Sequence, residues 1–337
     1  MEDKNMTIGD IAQALGVSKT TVSRAISGKG RIGEETKSRV LAYIEEHHYS
    51  PNVVAKGLAQ NKTFNLGLVL PGDYNIAELP FFQKCMMGVS RTASGAGYDV
   101  LISVVSDGRI TQLERAVTNR KVDGVILTRT LTDDAPMRYL EENNVPFVAI
   151  GSTDDERAVQ IDNDHRSACR ELTGRLLDQG IRRLALIGGN DGYVVTKKRL
   201  SGFREAFLER AGWDGEMQIF LNMDDSAETE KIVEKLLEER VECIVCMDDF
   251  LCECVLNALQ TRQIAVPGQV RVASFYDSSL LANRIPRITS IRYDVEELGR
   301  RACELLLQML DGGQPKRRTL LGYQVCIRES TQECGEA

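Results

Sequence analysis

At 337 residues the chain is long enough for two domains or more, and for a core that needs no disulfide or metal staple. Its 42% hydrophobic and 27% charged residues describe a globular protein, and no run of about 18 apolar residues offers a membrane span. The opening MEDKNM lacks the order of a signal peptide, and nine cysteines without an export signal read as reduced thiols, so a cytoplasmic protein is expected. The formal charge of −7, taken whole, argues against a nucleic-acid partner. Residues 1–60 alone hold eight Lys/Arg against seven Asp/Glu, while the rest holds 34 against 42. The acidic surplus therefore lies outside the first sixty residues, and where basic groups sit matters more than their sum.

Thr7-Ile8-Gly9-Asp10 has the spacing of a capping box. Ile8, Ile11, Ala12 and Leu15 follow at helical spacing, and Gly16 ends that helix. Ser18 can cap a second helix through Val22 and Ile26. Two short helices across a Gly-containing turn make a helix-turn-helix pattern. A third helix is expected from Glu34 to His47. A small three-helix bundle without DNA is the alternative reading. The second helix weighs against it: with Val22 and Ile26 as anchors, Lys19, Thr20, Ser23 and Arg24 are left for solvent or DNA. Lysine can donate to guanine, hydroxyls can meet base edges or phosphates, and Arg24 suits either. Ser50 then caps a helix with Pro51 at its first position. That helix is short, contains Gly57, and alone is marginal in water, so it needs a partner helix or DNA; otherwise it is a linker.

The motifs ALGVSKTTVSRAISG and YSPNVVAKGLA, within a run from Thr7 to Gln60, resemble the N-terminus of the LacI/GalR family of transcription regulators. The resemblance extends over nearly the whole chain. It implies a homodimer that sets one headpiece in each half-site of a palindromic double-stranded operator. Lys19 and Thr20 match the family's base-reading pair. Ser18, Thr21, Ser23 and Arg24 match its phosphate and base contacts, and Thr7 is a further DNA-binding candidate. Asn52, Ala55 and Leu58 match the hinge helix, whose paired leucines wedge into the minor groove, as apolar side chains do when they unstack and kink DNA. Gly33 departs from the family, which often has a Ser or Thr cap there.

Beyond Asn65 short apolar runs alternate with helical patterns. Strands are expected at Leu66–Leu70, Val100–Val105, Gly124–Leu127, Phe147–Ile150, Leu184–Ile187, Cys243–Cys246 and Val272–Phe275. Helices fit at 81–95, 111–120, 136–142, 165–179, 199–211, 226–239 and 250–260. This βα series predicts parallel sheets flanked by helices. The resemblance implies two lobes like those of a periplasmic binding protein. The expected organisation is a headpiece at 1–50 and a hinge at 51–62. A first lobe follows at 63–161 plus 291–319, a second at 162–290 plus 320–330, and a polar tail at 331–337 too short for a tetramer helix.

Ligands of such sheets sit beyond the carboxyl ends of the strands. Asp73, Arg129, Asp248, Asp249 and Asp277 follow candidate strands, and Arg199 opens a helix after Ile187-Gly188-Gly189. Carboxylates that accept from hydroxyls, with a forked arginine, suit a sugar; the alternative is that these residues cap loops. The resemblance marks Arg199 as the effector clamp, Asp277 as the effector carboxylate, and Asp248 as a position usually Asn. Phe81 and Phe82 belong to the family's Pro-Phe-Phe motif and either stack on a ligand or fill the core. Asp225 falls near a position that is aromatic in many members, and Gly151 at one that is Asp in some. A carbohydrate effector is favoured over a purine.

Cys243, Cys246, Cys252 and Cys254 suggest a metal cluster by spacing only. Residues three apart in a strand face opposite ways, so the thiols are read as buried apolar groups. Neither cofactor nor metal is expected, and no Ser/His/acid set suggests an enzyme. The reading is a sugar-responsive DNA-binding transcriptional regulator for which repression is expected, with activation left open. A sugar-binding protein without specific DNA binding is the alternative.

Overall fold

The structure is a computed structural model. It describes every residue except 1–5, 28–29, 48, 50–56, 58–59, 74–79, 107, 211, 224 and 333–337. The chain divides into two compact units, residues 1–63 and 64–337.

Among the described residues the first unit holds three helices, α1 (Ile8–Leu15), α2 (Lys19–Ser27) and α3 (Glu34–Glu46). The capping box is formed: Thr7 N donates to Asp10 Oδ2 at 2.8 Å and Asp10 N to Thr7 Oγ1 at 3.3 Å. Gly16 ends α1 at φ 65°, a left-handed turn that glycine takes without steric cost. Thr21 N donates to Ser18 Oγ at 3.1 Å, which caps α2. Ile11, Ala12, Val22, Ala25 and Val40 form the core of this unit. Gly33 precedes α3 with no side-chain cap, as its lack of a hydroxyl dictates.

The second unit contains two six-stranded sheets. The first is built from β1 (Asn65–Pro71), β2 (Asp99–Val105), β3 (Gly124–Leu127), β4 (Phe147–Ile150), β5 (Val159–Asn163) and β11 (Arg318–Leu321), in the order β11-β5-β4-β3-β1-β2. The second is built from β6 (Arg183–Ile187), β7 (Glu216–Phe220), β8 (Cys243–Cys246), β9 (Arg271–Ser274), β10 (Thr289–Arg292) and β12 (Gln324–Cys326), in the order β12-β10-β9-β8-β6-β7. Among these strands every pairing is parallel except β10 with β12. β1, β3 and β4 are buried along nearly their whole length, which is why they read as unbroken apolar runs.

The helices are α4 (Pro80–Gly95), α5 (Thr111–Thr118), α6 (Ala135–Glu142), α7 (His165–Leu177), α8 (Val194–Leu208), α9 (Ser226–Glu238), α10 (Asp249–Thr261), α11 (Ser279–Asn283) and α12 (Val295–Leu310). α4 packs on α12 so closely that a Cβ on Gly88 would collide with Glu296 O, and one on Gly299 with Cys85 O. α7 packs on α8 in the same way, with Gly202 against Arg166 O.

Three lobe crossings lie a few residues from where the sequence placed them. The first sheet keeps β5 through Asn163, two residues past Ile161. Ile291 and Arg292 stay in the second sheet, because β10 pairs with β9 before the chain leaves for α12. Leu320 and Leu321 stay in the first, paired with Asp162 and Asn163. Thr331 is no tail residue: it is buried, and its Oγ1 lies 2.6 Å from Thr289 Oγ1. Cys243 and Cys246 fall in separate apolar clusters on opposite faces of the second sheet, as strand alternation requires. Burial pushes the Cys243 thiol up to about 12, so it stays protonated.

Candidate functional site

Two sets of residues gather chemistry, one in each unit. In the first unit α2 buries Val22 and Ala25 and leaves Ser18, Lys19, Thr20, Ser23 and Arg24 exposed. Helical periodicity turns Thr20, Ser23 and Arg24 away from Val22 and Ala25, while Ser18 caps the helix from outside and Lys19 stands in its first turn. Thr21 is half-buried, its hydroxyl 2.8 Å from Ser18 Oγ. Thr7 is exposed but engaged in its capping box. Gly9 leaves room for the Lys19 stem, which would sit 3.2 Å from a Cβ there. Asn52, Ala55 and Leu58 lie outside the described residues. Of that segment the structure describes Gly57, whose carbonyl accepts from Lys62 N at 3.0 Å.

In the second unit a cavity of about 310 Å³ opens at the carboxyl ends of the strands of both sheets. That volume lies in the ordinary range for small-molecule sites, roughly 300–1,000 Å³. The first lobe contributes Asp73 after β1, Thr128, Arg129 and Thr130 after β3, and Phe81 and Phe82 from α4. Asp162 in β5 and His165 at the start of α7 stand where the chain crosses. The second lobe contributes Tyr193, Arg199, Met223, Asp248, Asp249, Phe250 and Tyr276. The predicted Asp73, Phe82, Arg129, Arg199 and Asp248 are thus brought together from chain positions far apart.

Each arginine is held yet keeps a spare donor. Arg129 Nη2 donates to Asp73 Oδ2 at 2.6 Å, and its guanidinium carbon lies 4.6 Å from the Tyr193 ring centre. Arg199 Nη1 donates to Met247 O at 2.5 Å. Among the described residues, Arg129 Nη1 and Arg199 Nε are buried with no protein partner. Unpaired buried donors are costly, so a ligand that supplies acceptors gains there.

The carboxylates differ in their surroundings. Asp248 Oδ1 accepts from Leu251 N at 2.9 Å and so caps α10. Burial raises its carboxyl above the usual range, against the pull of that bond and of Arg199. Asp249 is pushed up to about 6, first by burial and then by Asp248 beside it. For Asp162 burial works upward, but His165, Ser152 and the Asn163 amide outweigh it and hold the carboxyl below the usual range. His165 is driven down by burial, so it is neutral near pH 7.

Asp277 does not line the cavity. Its carboxylate is taken by Arg328 through two bonds of 2.8 Å, by Ser290 Oγ at 2.7 Å and by Arg292 Nε at 3.1 Å. The neighbouring Tyr276 faces the cavity instead, as alternation at a strand end requires. Asp225 is exposed and caps α9 through Glu228 N at 2.7 Å; Met223, two residues earlier, fills the wall. Gly151 sits at φ 121° with Thr130 packed against it, so no residue with a Cβ fits there readily. Thr130, His165, Tyr193 and Met223 were not singled out from sequence, since nothing in their local patterns marks a wall assembled from two sheets.

A helix-turn-helix unit with an exposed polar face, joined in one chain to a two-lobed body with a cavity between its sheets, defines a ligand-binding DNA regulator. Residues 7–52 match the family model of bacterial regulatory proteins, lacI family, and residues 173–331 match a periplasmic binding protein-like domain. The HTH-type transcriptional regulator MalR of Streptococcus pneumoniae is 30% identical over 334 residues, covering 96% of this chain and 97% of that protein. The solved complex of the transcriptional regulator CelR with cellobiose is 27% identical, with a TM-score of 0.70 over 96% of this chain and 99% of that one. The lac repressor dimer bound to operator and an anti-inducer has a TM-score of 0.80 at 23% identity, covering 97% and 99%. The chain belongs to the LacI family of DNA-binding transcriptional regulators.

Proposed function

We propose that the chain is a homodimeric repressor that binds a palindromic operator and is controlled by an uncharged sugar held between the two lobes. The observation that carries the sugar is the make-up of the cavity: four aspartates against two arginines, with aromatic rings between. Carboxylates accept from hydroxyls, arginines donate to ring and hydroxyl oxygens, and rings pack on the apolar faces of a pyranose. The surplus of carboxylates opposes a phosphorylated ligand. The bound cellobiose of CelR points the same way.

Residues 1–50 read DNA through Thr7, Ser18, Lys19, Thr20, Thr21, Ser23 and Arg24, and 51–62 form the hinge with Asn52, Ala55 and Leu58 at the minor groove. Asp73, Phe82, Arg129, Arg199 and Asp248 hold the effector. Asp277 supports that wall from behind. The chain acts by binding rather than catalysis. Exposed Met87 on α4 and Leu101 and Ile102 on edge strand β2 support a dimer, since apolar side chains on an open sheet edge favour a partner. Ligand binding shifts the lobe angle, and operator affinity follows only if the two states differ in ligand affinity.

Calorimetry of the full chain with maltose and with cellobiose tests the effector reading. One of them binds the wild type, and Arg199→Ala weakens it at least tenfold while operator binding stays. Binding that Arg199→Ala leaves intact contradicts the assignment.

A further inference from the structure

Two short segments bridge the lobes at the mouth of the cavity. Residues 130–132 leave β3 of the first lobe, and residues 192–194 lead into α8 of the second. Thr132 N donates to Gly192 O at 3.0 Å, and Val194 N donates to Thr130 O at 3.2 Å. Thr132 Oγ1 donates to the same Gly192 carbonyl at 3.1 Å, and Leu131 and Tyr193 form an isolated antiparallel bridge. The two lobes are thus stitched by a minimal piece of β-structure.

Arg129 stands immediately before this bridge. Its guanidinium is oriented on one side by Asp73 of its own lobe and on its face by the Tyr193 ring of the other. One buried donor, Nη1, is left without a protein partner among the described residues, on a residue that lines the cavity. A guanidinium resting on an aromatic face gains from the ring quadrupole, and loses that gain if the lobes separate.

We infer that Tyr193 is a positioning residue for effector recognition. With the 130–132 and 192–194 bridge it places Arg129 so that its spare donor is offered to the ligand only when the lobes are closed. The inference rests on the reading of the cavity as the effector site. Closure and recognition then become one event. A ligand that accepts from Arg129 binds the bridged state preferentially, and by linkage the bridge raises ligand affinity by the same factor that the ligand stabilises the bridge.

Hydrogen exchange on the full chain reads the bridge without ligand or DNA, because the Thr132 and Val194 amides donate across it. They exchange slowly in wild type and in Tyr193→Phe, which keeps the ring. In Tyr193→Ala they exchange about fivefold faster, the size expected for losing one cation–π contact. Amides of β1 stay protected in all three, which reports an intact fold. Thr132→Val, which removes only the hydroxyl bond, gives a milder acceleration at the same two amides. In calorimetry with maltose and cellobiose, the Kd of whichever sugar binds wild type rises by a similar factor in Tyr193→Ala and not in Tyr193→Phe. Equal exchange at Thr132 and Val194 in wild type and Tyr193→Ala overturns the inference, as does a Phe variant that behaves like Ala. Failure of both sugars to bind wild type counts against the carbohydrate reading, while the exchange result still decides the role of Tyr193.

Discussion

Replacing Asp277 with alanine should unfold the second lobe more readily rather than simply blunt a ligand response. The Asp277 side chain is 3% exposed and that of Arg328 is 10% exposed, and they meet through two bonds of 2.8 Å. Arg328 Nη1 also donates to Ile288 O at 2.7 Å and Ser290 Oγ at 2.8 Å, so it ties the end of the chain to β10. Taking away the carboxylate leaves a buried guanidinium short of its partner, a loss of about 3–5 kcal/mol. For a unit of this size that lowers the unfolding midpoint by roughly 10 °C. Urea unfolding can follow Trp213, the single tryptophan, whose ring lies 4.6 Å from that of Phe207 in the same lobe. Arg328→Met should produce a comparable loss, and Asp277→Leu with Arg328→Met together should recover much of it, because an apolar pair leaves no stranded charge. Burial alone would raise the Asp277 carboxyl, but Arg328, Ser290 and Arg292 hold it below the usual range. Its folded value is therefore depressed: the contribution is complete above the unfolded carboxylate value of about 4 and fades as pH falls through the folded value. An Asp277→Ala protein within about 0.5 kcal/mol of wild type, yet deaf to its ligand, would refute this assignment and restore Asp277 to the effector site.

Asp249 carries the opposite sign. Its carboxyl is raised to about 6, so the folded state keeps a proton that the unfolded chain releases, and stability falls as pH rises from about 4 through 6. Asp249→Asn should accordingly stabilise more at pH 7.5 than at pH 4.5 in thermal melts; equal effects at both would contradict the shift. Thr7→Ala removes the α1 cap and should lower headpiece stability by about 1 kcal/mol, read by circular dichroism of residues 1–63 within the full chain's first transition. Gly88→Ala forces α4 from α12 and should destabilise the body by about 1–3 kcal/mol, measured by urea unfolding. Lys19→Ala should weaken operator binding and lower its dependence on salt by about one counterion, measured by titration at several salt concentrations.

Much of this architecture is legible in local pattern. The capping hydroxyl and carboxylate at Thr7 and Asp10, the left-handed Gly16 and the Val22 and Ile26 anchors give the headpiece, because each acts within one turn of chain. Buried parallel strands announce themselves as apolar runs, and β3 and β4 fall where those runs do. β7 was missed because, as an edge strand, its residues are only partly buried and show no such run. β5 was missed because Gln160, Asp162 and Asn163 interrupt its apolar character, although all three are buried. α8 begins at Val194, five residues before the expected start, because Val194-Val195-Thr196 reads as β-branched chain until it packs on α7.

The cavity was legible in kind but not in membership. Carboxylates after strands are visible in sequence, but which of them face the ligand is decided by alternation and by partners far along the chain. Asp277 turned away because Arg328, 51 residues later, claims it. Asp225 proved a helix cap, for which a carboxylate before Ser226-Ala227-Glu228 is itself a signal. Tyr193 and Met223 enter the wall only when two lobes meet, and no local spacing encodes that.

The central claim is that ligand in the body controls specific DNA binding by the headpiece. Its most direct test is to select operator from random DNA with the full-length protein, then titrate that operator with and without saturating maltose or cellobiose. The account predicts a palindromic selected site whose Kd changes at least tenfold with one of these sugars, and an Arg199→Ala protein that binds the same site with no such change. Recovery of no specific site, or an operator affinity that neither sugar nor Arg199→Ala alters, would contradict it.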